Sequence, residues 1–318
     1  MALNITGRAD AQALIPEEVS NEIIKSLPRE SAALRLMRKR SMGTKTARMP
    51  VLAQKPDAYW VGGDTGLKET DKAAWENKYL VAEELAVILP IPDAVVDDAS
   101  YDLWGELRSE LVEAFGVRID EAVLFGSSKP ASWTDPSVVE GAVAAGNATA
   151  RGTNGVDFVS DVNEAMALVE DDGFDVNGFA ARRRIRSVLR DLRGADNHPI
   201  FSPNLHTEGG PTIYGEPLSY VDNGAWDDEV AELVAGDWTK AILGIRQDIT
   251  YRIFTEGVIS DDAGKVILNL MQQDSAAMRA VMRIGYCVAN PMSRMAPNEA
   301  SRFPFSVVTP EAEDEGDG

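Results

Sequence analysis

A long amphipathic segment, residues 100–125, constrains the fold of this chain more than any other feature of its sequence. Large apolar side chains recur there at the spacing of one helical face. They are Leu103, Leu107, Leu111, Phe115, Ile119 and Val123, and the stripe is widened by Trp104, Val112 and Ala122. Ser100 or Asp102 can cap the start of the helix, and Gly126 can end it. At ~1.5 Å per residue the helix would be roughly 39 Å long, which predicts a rod around which a domain packs.

Residues 46–89 predict a long β-hairpin with a polar tip. Apolar residues alternate along its first strand, and an apolar, β-branched run from Tyr79 to Ile88 forms the second. The connection from Val61 to Lys72 is glycine-rich, charged and turn-prone. Because an isolated hairpin is marginally stable in water, we expect this one to lie on a partner surface.

The remainder of the chain alternates short helices and strands, which indicates an α+β fold. The predicted helices are Val159–Val169 and Arg182–Leu192, and the predicted strands lie within Thr212–Val221, Leu233–Ile253 (two strands) and Met278–Val288. Residues 126–157 are rich in Gly, Ser, Ala and Pro and predict a long surface loop.

The two ends of the chain differ from its middle. Residues 1–14 are small and polar and predict a loose terminus, after which Pro16 suits the first turn of a helix that begins at Ile15. Residues 311–318 carry five acids and predict a disordered acidic tail.

The chain is acidic, but its charge is uneven. Its 318 residues include 31 Lys and Arg against 51 Asp and Glu, for a formal net charge of −20. This charge argues against a nucleic-acid binder unless the basic residues gather on one face. Between Lys25 and Arg48 lie eight basic residues and a single acid, Glu30, which predicts a basic N-terminal arm.

Composition and length bound the class of protein. With 44% hydrophobic and 26% charged residues, the sequence predicts a folded, soluble chain of about two domains. We expect no signal peptide and no transmembrane helix, because no window approaches 18 apolar residues. The single cysteine, Cys287, excludes an internal disulfide and predicts a small core residue.

No motif for catalysis, a cofactor or a metal emerges from the sequence. The glycines of residues 62–68 lack P-loop spacing, and neither a dinucleotide-binding fingerprint nor a nucleophile elbow is present. His198 and His206 predict loop surface, and residues 173–184 resemble an EF-hand loop that lacks its first and last ligands. We therefore expect no catalytic, cofactor-binding or metal-binding residue, no enzyme, and instead a structural or binding protein.

A cluster of arginines follows residue 181. Its members are Arg182, Arg183, Arg184, Arg186, Arg190 and Arg193. Three interpretations stay open: an anion site, a solvated helix face paired with acids, and a subunit interface, where the arginine fork is favoured.

Several short segments follow one another in a definite order along nearly the whole chain. They are Leu14-Ile15-Pro16, Met49-Pro50-Val51, Ala58-Tyr59-Trp60-Val61, Leu85–Pro90, Asp93–Asp98, Ser100–Leu103, Asp120–Gly126, Asn177–Gly194, Pro199-Ile200-Phe201, Tyr214–Leu218, Gly236–Arg246 and Met278–Pro291. In this order they resemble the major capsid protein of tailed bacteriophages, with its arm, extended loop, spine helix, axial helix, Gly-x-Pro strand and late strands.

The resemblance implies an α+β tailed-phage major capsid fold. It would comprise an N-terminal arm, an extended β-hairpin loop, a peripheral domain with a long spine helix, and an axial domain. The implied boundaries are 1–47 for the arm, 48–89 for the loop, 90–155 with 256–310 for the peripheral domain, 156–255 for the axial domain, and 311–318 for the tail.

The resemblance also implies a function and partners. The chain would assemble into hexameric and pentameric capsomers of an icosahedral shell that encloses double-stranded DNA without sequence-specific binding. We expect a separate scaffolding protein, a portal and in some cases a decoration protein, no membrane, and assembly in the host cytoplasm into the virion capsid. The alternative is an encapsulin-type nanocompartment shell that encloses protein cargo.

Two sets of residues are implied to act between subunits. The contact residues are Arg38, Lys39, Arg40, Trp60, Gly63, Lys68, Lys72, Arg183, Arg186 and Arg190. Some members of the family join a loop lysine covalently to a neighbour's asparagine, and here Lys68 and Asn290 are the candidates; ordinary surface lysines are the other interpretation.

Overall fold

The computed structural model describes residues 31–61, 67–99, 102–153, 157–192 and 211–311. The predicted helix at Ile15, His198, His206 and the tail beyond Glu311 lie outside these ranges. The described helices are α1 (Ala32–Leu36), α2 (Asp93–Asp98), α3 (Leu103–Asp120), α4 (Val138–Ala145), α5 (Phe158–Asp171) and α6 (Ile185–Asp191). None of the described helices has the length and apolar character needed to span a membrane.

The strands form two main sheets and two hairpins. The strands are β1 (Arg38–Ser41), β2 (Thr46–Gln54), β3 (Ala74–Val81), β4 (Glu83–Pro92), β5 (Ala148–Ala150), β6 (Gly178–Ala181), β7 (Thr212–Ile213), β8 (Glu216–Tyr220), β9 (Leu233–Gly236), β10 (Ala241–Phe254), β11 (Val258–Ser260), β12 (Val266–Asn269), β13 (Ser275–Val288) and β14 (Phe305–Thr309). One sheet has the order β1-β10-β13-β4 and the other β5-β14-β9-β6-β8-β7, while β2 pairs with β3 and β11 with β12.

The predicted long helix is confirmed as α3. The Asp102 side chain accepts a hydrogen bond from the Gly105 amide at its start, and a π-helical turn, Glu121–Phe125, extends it to Gly126, whose φ of 78° ends it. Most of the predicted stripe is buried, but Val112 is exposed. The rod packs on the four-stranded sheet and shares one apolar core with it.

The predicted loop at residues 126–157 is wrong, because it contains α4 and β5. Ser137 and Glu140 form a capping box, in which each side chain accepts a hydrogen bond from the other's backbone amide. Val138, Val139 and Ala142 then bury one face of the helix. Small residues had suggested a loop, yet they are what lets α4 pack closely.

The predicted helices and strands after residue 157 are confirmed, but the sheets do not follow the predicted domain boundaries. The six-stranded sheet includes β5 and β14, which lie outside residues 156–255. Strand β10 lies within that range but belongs to the four-stranded sheet. Strand pairing joins distant segments, so position along the chain does not assign a strand to a sheet. The domain boundaries themselves stay a prediction.

Replacing Gly141 with alanine is expected to destabilise the chain by about 1–3 kcal/mol, although helix propensity alone favours alanine by ~1 kcal/mol. A Cβ at Gly141 would lie 2.2 Å from Cζ of Phe303, a ring that is almost completely buried. Urea unfolding of the purified chain measures the change. Gly43→Ala is the matched control, since no atom lies within 4 Å of its new Cβ. Equal stability of both variants would show that the Phe303 ring moves aside freely.

Candidate functional site

The hairpin of β2 and β3 exposes an unusual number of large apolar side chains. We call these residues the hairpin surface: Tyr59, Trp60, Leu67, Trp75 and Tyr79. Trp60 is 101% exposed and Leu67 is 91% exposed, so neither contributes to the core of its own chain. Folded monomers rarely leave such residues together in water, whereas aromatic side chains are enriched where proteins bind one another.

The opposite face of the hairpin is attached to the body of the molecule. Trp75 and Tyr79 are four residues apart and share the outer face of β3, while Leu80 points the other way and is fully buried. The Trp133 indole donates a hydrogen bond to the Val81 carbonyl over 2.9 Å. A Cβ on Gly285 would lie 2.7 Å from that same carbonyl oxygen, so only glycine lets the hairpin base cross the sheet.

Lys78 adds a polar anchor at the base of the hairpin. Its ammonium lies 3.9 Å from the Asp135 carboxylate and 3.2 Å from that of Glu299. Burial lowers the pKa of Lys78, but the attraction of these two carboxylates outweighs it and raises the pKa above its ordinary value. Lys78 therefore stays charged and holds β3 to the segment around Glu299.

The hairpin of the structure is shorter than residues 46–89. The second strand ends at Val81, and residues 83–92 form β4, which pairs with β13 in the four-stranded sheet. The apolar run from Tyr79 to Ile88 therefore serves two different sheets. The sequence does not reveal the change of partner, because the end of β3 and the start of β4 belong to one continuous, mainly apolar run.

The basic residues 38–40 lie on β1, the edge strand of the four-stranded sheet. β1 runs parallel to β10, and Arg38, Lys39 and Arg40 are all exposed. Within the described part of the chain, no ion pair involves any of the three. Their charge is thus available to acidic groups of another molecule.

Asp120 fixes the start of the described chain to the long helix. Its fully buried carboxylate accepts hydrogen bonds from the Ser31 hydroxyl (2.5 Å) and from the amides of Ala32 and Ala33 (2.9 Å each). A fourth comes from the Asn223 side-chain amide over 2.6 Å. Burial raises the pKa of Asp120, against the four donors that lower it. Nothing in the sequence pattern reveals this network, because its members lie about ninety residues apart.

The arginines of α6 and of the turn before it are exposed and form separate contacts. Arg183 is paired with Asp222 at 2.8 Å, Arg186 lies over the Tyr220 ring, and the Arg190 Nε donates to the Arg186 carbonyl. Arg182 is paired with Asp228. Pairing with acids accounts for part of the cluster, and the three interpretations of it stay predictions.

The candidate residues for a covalent cross-link lie on different elements. Lys68 is exposed beside the tip of the hairpin, whereas Asn290 follows β13 and is partly buried. The Asn290 side-chain amide donates to the Arg302 carbonyl (2.7 Å), and its oxygen accepts from the Arg302 Nε (3.0 Å). The cross-link stays a prediction.

The structure does not gather the predicted contact residues into one place. Residues 38–40, the hairpin and α6 belong to three separate elements, and Gly63 lies outside the described ranges. The sequence also missed a second apolar surface, on the β11–β12 hairpin and the turn after it, where Val258, Val266 and Met271 are each more than half exposed. Short strands around a polar turn gave no signal strong enough to find it.

The described residues hold no cluster of acids, histidine or cysteine that could bind a metal ion. Cys287 is buried in β13, and burial, followed by the nearby Asp135, raises the pKa of its thiol to about 12. The thiol is therefore protonated and unreactive, as expected of a core residue. The exposed apolar and basic surfaces are the features that remain for a function.

Comparison with known proteins gives matches over nearly the whole chain. A family model described as the phage capsid family matches residues 11–295. The curated major capsid protein of Staphylococcus phage 80alpha is 27% identical over 293 residues, which cover 90% of this chain and 85% of that protein. A solved structure from Microbacterium phage Oxtober96 is 44% identical with a TM-score of 0.82, covering 97% of this chain and 100% of that one. Another, from Mycobacterium phage Adephagia, is 32% identical with a TM-score of 0.83 and covers 96% and 98%.

Proposed function

This chain belongs to the phage capsid family and is a major capsid protein, and we propose that the hairpin surface is the contact through which each copy holds its neighbour. The exposure of Trp60 and Leu67 carries the proposal. Burying one such side chain against another molecule is worth about 1.5–3 kcal/mol. A hairpin anchored at its base by Lys78 and Leu80 presents those side chains away from its own core.

The geometry supports contacts of the head-to-tail kind. The hairpin surface and the basic strand Arg38–Ser41 lie on different elements, and we propose that each subunit offers its hairpin to a surface of the next that is not itself a hairpin. Heterologous contacts of this kind close into rings when the rotation between copies is right. We propose that the rings are hexameric and pentameric capsomers of an icosahedral shell.

The basic strand supplies a second, electrostatic contact in this proposal. Arg38, Lys39 and Arg40 lie exposed on an otherwise acidic chain of net charge −20. Acidic surfaces of neighbouring copies are therefore abundant partners for them. Such exposed pairs contribute little stability individually, but they fix orientation and oppose wrong contacts.

The net charge also bears on what the shell contains. We propose that it encloses double-stranded DNA without sequence-specific binding, since an acidic subunit does not hold a polyanion tightly. A separate scaffolding protein, a portal, a decoration protein and assembly in the host cytoplasm belong to the same proposal. The encapsulin-type alternative is not better supported by the relatives found. As a member of a structural family, the chain is proposed to have no catalytic activity of its own.

Purified protein is expected to form closed shells or rings of capsomers, because the large apolar side chains of the hairpin surface stay exposed against the part of the chain that the structure describes. Electron microscopy and analytical ultracentrifugation measure the assembly. Double substitution of Trp75→Asp and Tyr79→Asp, on the exposed face, is expected to shift the material to single subunits. Monomer alone under all conditions, even when a scaffolding protein is coexpressed, would overturn the proposal.

A further inference from the structure

An arginine-lined cavity lies beside α6, in the part of the molecule built on the six-stranded sheet. Its volume is ≈ 260 Å³. The charged residues in its wall are Arg151, Arg182, Arg184, Asp228 and Glu232. Neither the hairpin surface nor the basic strand touches it, so the assembly contacts proposed above leave it without a role.

The two acids in the cavity wall are already paired with two of its arginines. Arg151 donates to both carboxylate oxygens of Glu232, at 2.9 and 3.2 Å, and Arg182 is paired with Asp228. Arg184 is exposed and has no ion pair within the part of the chain that the structure describes. Among the side chains that line the cavity, three guanidinium groups thus face two carboxylates, which leaves one guanidinium in excess.

The chain itself passes the wall of this cavity as it leaves β14. β14 runs parallel to β5 with Thr309 opposite Ala150, and the Arg151 amide donates to the Thr309 carbonyl over 2.9 Å. Two residues later, the Glu311 carboxylate lies beside Gly152: its Oε1 is 3.9 Å from the position that a Cβ on Gly152 would occupy. The segment that follows Glu311 thus starts next to Arg151.

The residues after Glu311 carry the carboxylates that could pair with the remaining arginine of the cavity. Residues 312–318 read Ala-Glu-Asp-Glu-Gly-Asp-Gly, with four carboxylates and no basic side chain. At ~3.3 Å per extended residue, seven residues span about 23 Å. This length is enough to cross the cavity, because the segment starts near Arg151 in the cavity wall.

We propose that the acidic segment 311–318 binds back onto this cavity of its own chain and places a carboxylate against Arg184. The arginine fork suits a carboxylate, and exposed pairs of this kind weaken as salt rises. Tethering at Thr309 raises the local concentration of the segment to about the millimolar range, so weak pairs suffice to hold it. The bound segment also screens the arginines from other polyanions, including nucleic acid.

Carbodiimide coupling tests the contact directly. In Arg184→Lys the new amine would lie beside the segment, and mass spectrometry should find it joined to a carboxylate of residues 311–318. Arg252→Lys, an exposed position on β10 in the other sheet, is the matched control. The link is expected to be about fivefold or more stronger at 184, and to fall by a similar factor between about 0.05 and 0.5 M NaCl.

Mixing light and heavy isotope-labelled subunits distinguishes a link within one chain from a link between two chains. Light–light and heavy–heavy pairs alone would support binding within one chain. Mixed pairs, equal yields at residues 184 and 252, or no link at 184 would each overturn the proposal.

A binding measurement on the full-length chain provides the second test. The probe is a fluorescent peptide with the sequence of residues 310–318. It is expected to bind a chain whose own tail is neutral (Glu313→Gln, Asp314→Asn, Glu315→Gln and Asp317→Asn) about tenfold or more tightly than the unaltered chain, because the site is then vacant. A short DNA duplex should likewise bind more tightly to the chain with the neutral tail. Equal binding of the peptide to both chains, or equal binding of the duplex to both, would overturn the proposal.

Discussion

Asp120→Ala is expected to lower the free energy of unfolding of the subunit by about 3–5 kcal/mol. The substitution removes the acceptor of four hydrogen bonds in a fully buried site. It leaves the Ser31 hydroxyl, two backbone amides and the Asn223 amide without their partner, and water can replace the carboxylate only partly. Urea or guanidinium unfolding of unassembled subunits measures the loss.

The same helix provides the control for this prediction. Asp102 caps the other end of α3 through one hydrogen bond to the Gly105 amide, and its side chain is exposed to water. Asp102→Ala should therefore cost only about 1 kcal/mol. A loss at Asp120 no larger than the loss at Asp102 would contradict the structural role given to the buried network.

Asp120→Asn removes the negative charge of the side chain but keeps its size. The amide keeps one acceptor oxygen but turns an NH₂ group toward donors, so we expect this variant to lose more than half of what alanine loses. Because Asp120 also holds residues 31–33, both variants should make the start of the chain more accessible to limited proteolysis before global unfolding. Unchanged cleavage there would show that α1 is held by its apolar contacts alone.

Replacing residues 60–72 with two glycines is expected to abolish shell formation and to leave the subunit folded. The removed segment includes Trp60 and Leu67, which are almost fully exposed and belong to no core cluster. Loss of two such contacts per subunit, about 3–6 kcal/mol, lowers each association constant by roughly two to four orders of magnitude. Electron microscopy and sedimentation measure assembly, and thermal unfolding measures the fold.

The fold should survive this deletion because the anchors of the hairpin lie outside it. Leu80 is buried, Lys78 is paired with Glu299, and Trp133 holds the Val81 carbonyl. The change in unfolding free energy is expected to stay within about 1 kcal/mol, as for other surface segments. Normal shells from the shortened chain would show that the hairpin tip is not a contact.

A full-length control distinguishes the apolar part of this contact from the charged part. Lys68→Gln with Lys72→Gln retains Trp60 and Leu67 and removes two positive charges from the loop. We expect such subunits to assemble with only a modest change in salt dependence. Loss of shells from this variant would instead make the two lysines the main contact.

Helix α3 and strand β13 could be predicted because each carries a regular pattern over many residues. Period 3.6 over residues 103–120 has few alternatives, and β13 alternates between Met278 and Ile284, where every second residue is buried. Helix α4 was missed because Gly, Ala and Ser dominate its surroundings, although the Ser137–Glu140 capping box was a signal in the sequence. The split of the run from Tyr79 to Ile88 into β3 and β4 left no such signal.

The candidate contact residues divide in the same way. The basic arm and the polar hairpin tip were visible as local composition, and the structure places residues 38–40 on an exposed edge strand. Trp75 and Tyr79 on the outer face of β3 carry no signal of exposure in the sequence, since aromatic residues suit either face of a strand. Only the register of β3 on the molecule decides which face meets water.

The sequence by itself determined the long helix, the hairpin, the uneven charge and the resemblance to the capsid proteins of tailed phages, because each is written in neighbouring residues. Only the tertiary structure decided which strands share a sheet, that Asp120 receives four donors from two distant segments, that Gly285 lets the hairpin base cross β13, and that the acidic segment begins beside Arg151. These depend on contacts between residues far apart in the chain, and one sequence carries no local pattern that specifies such pairs.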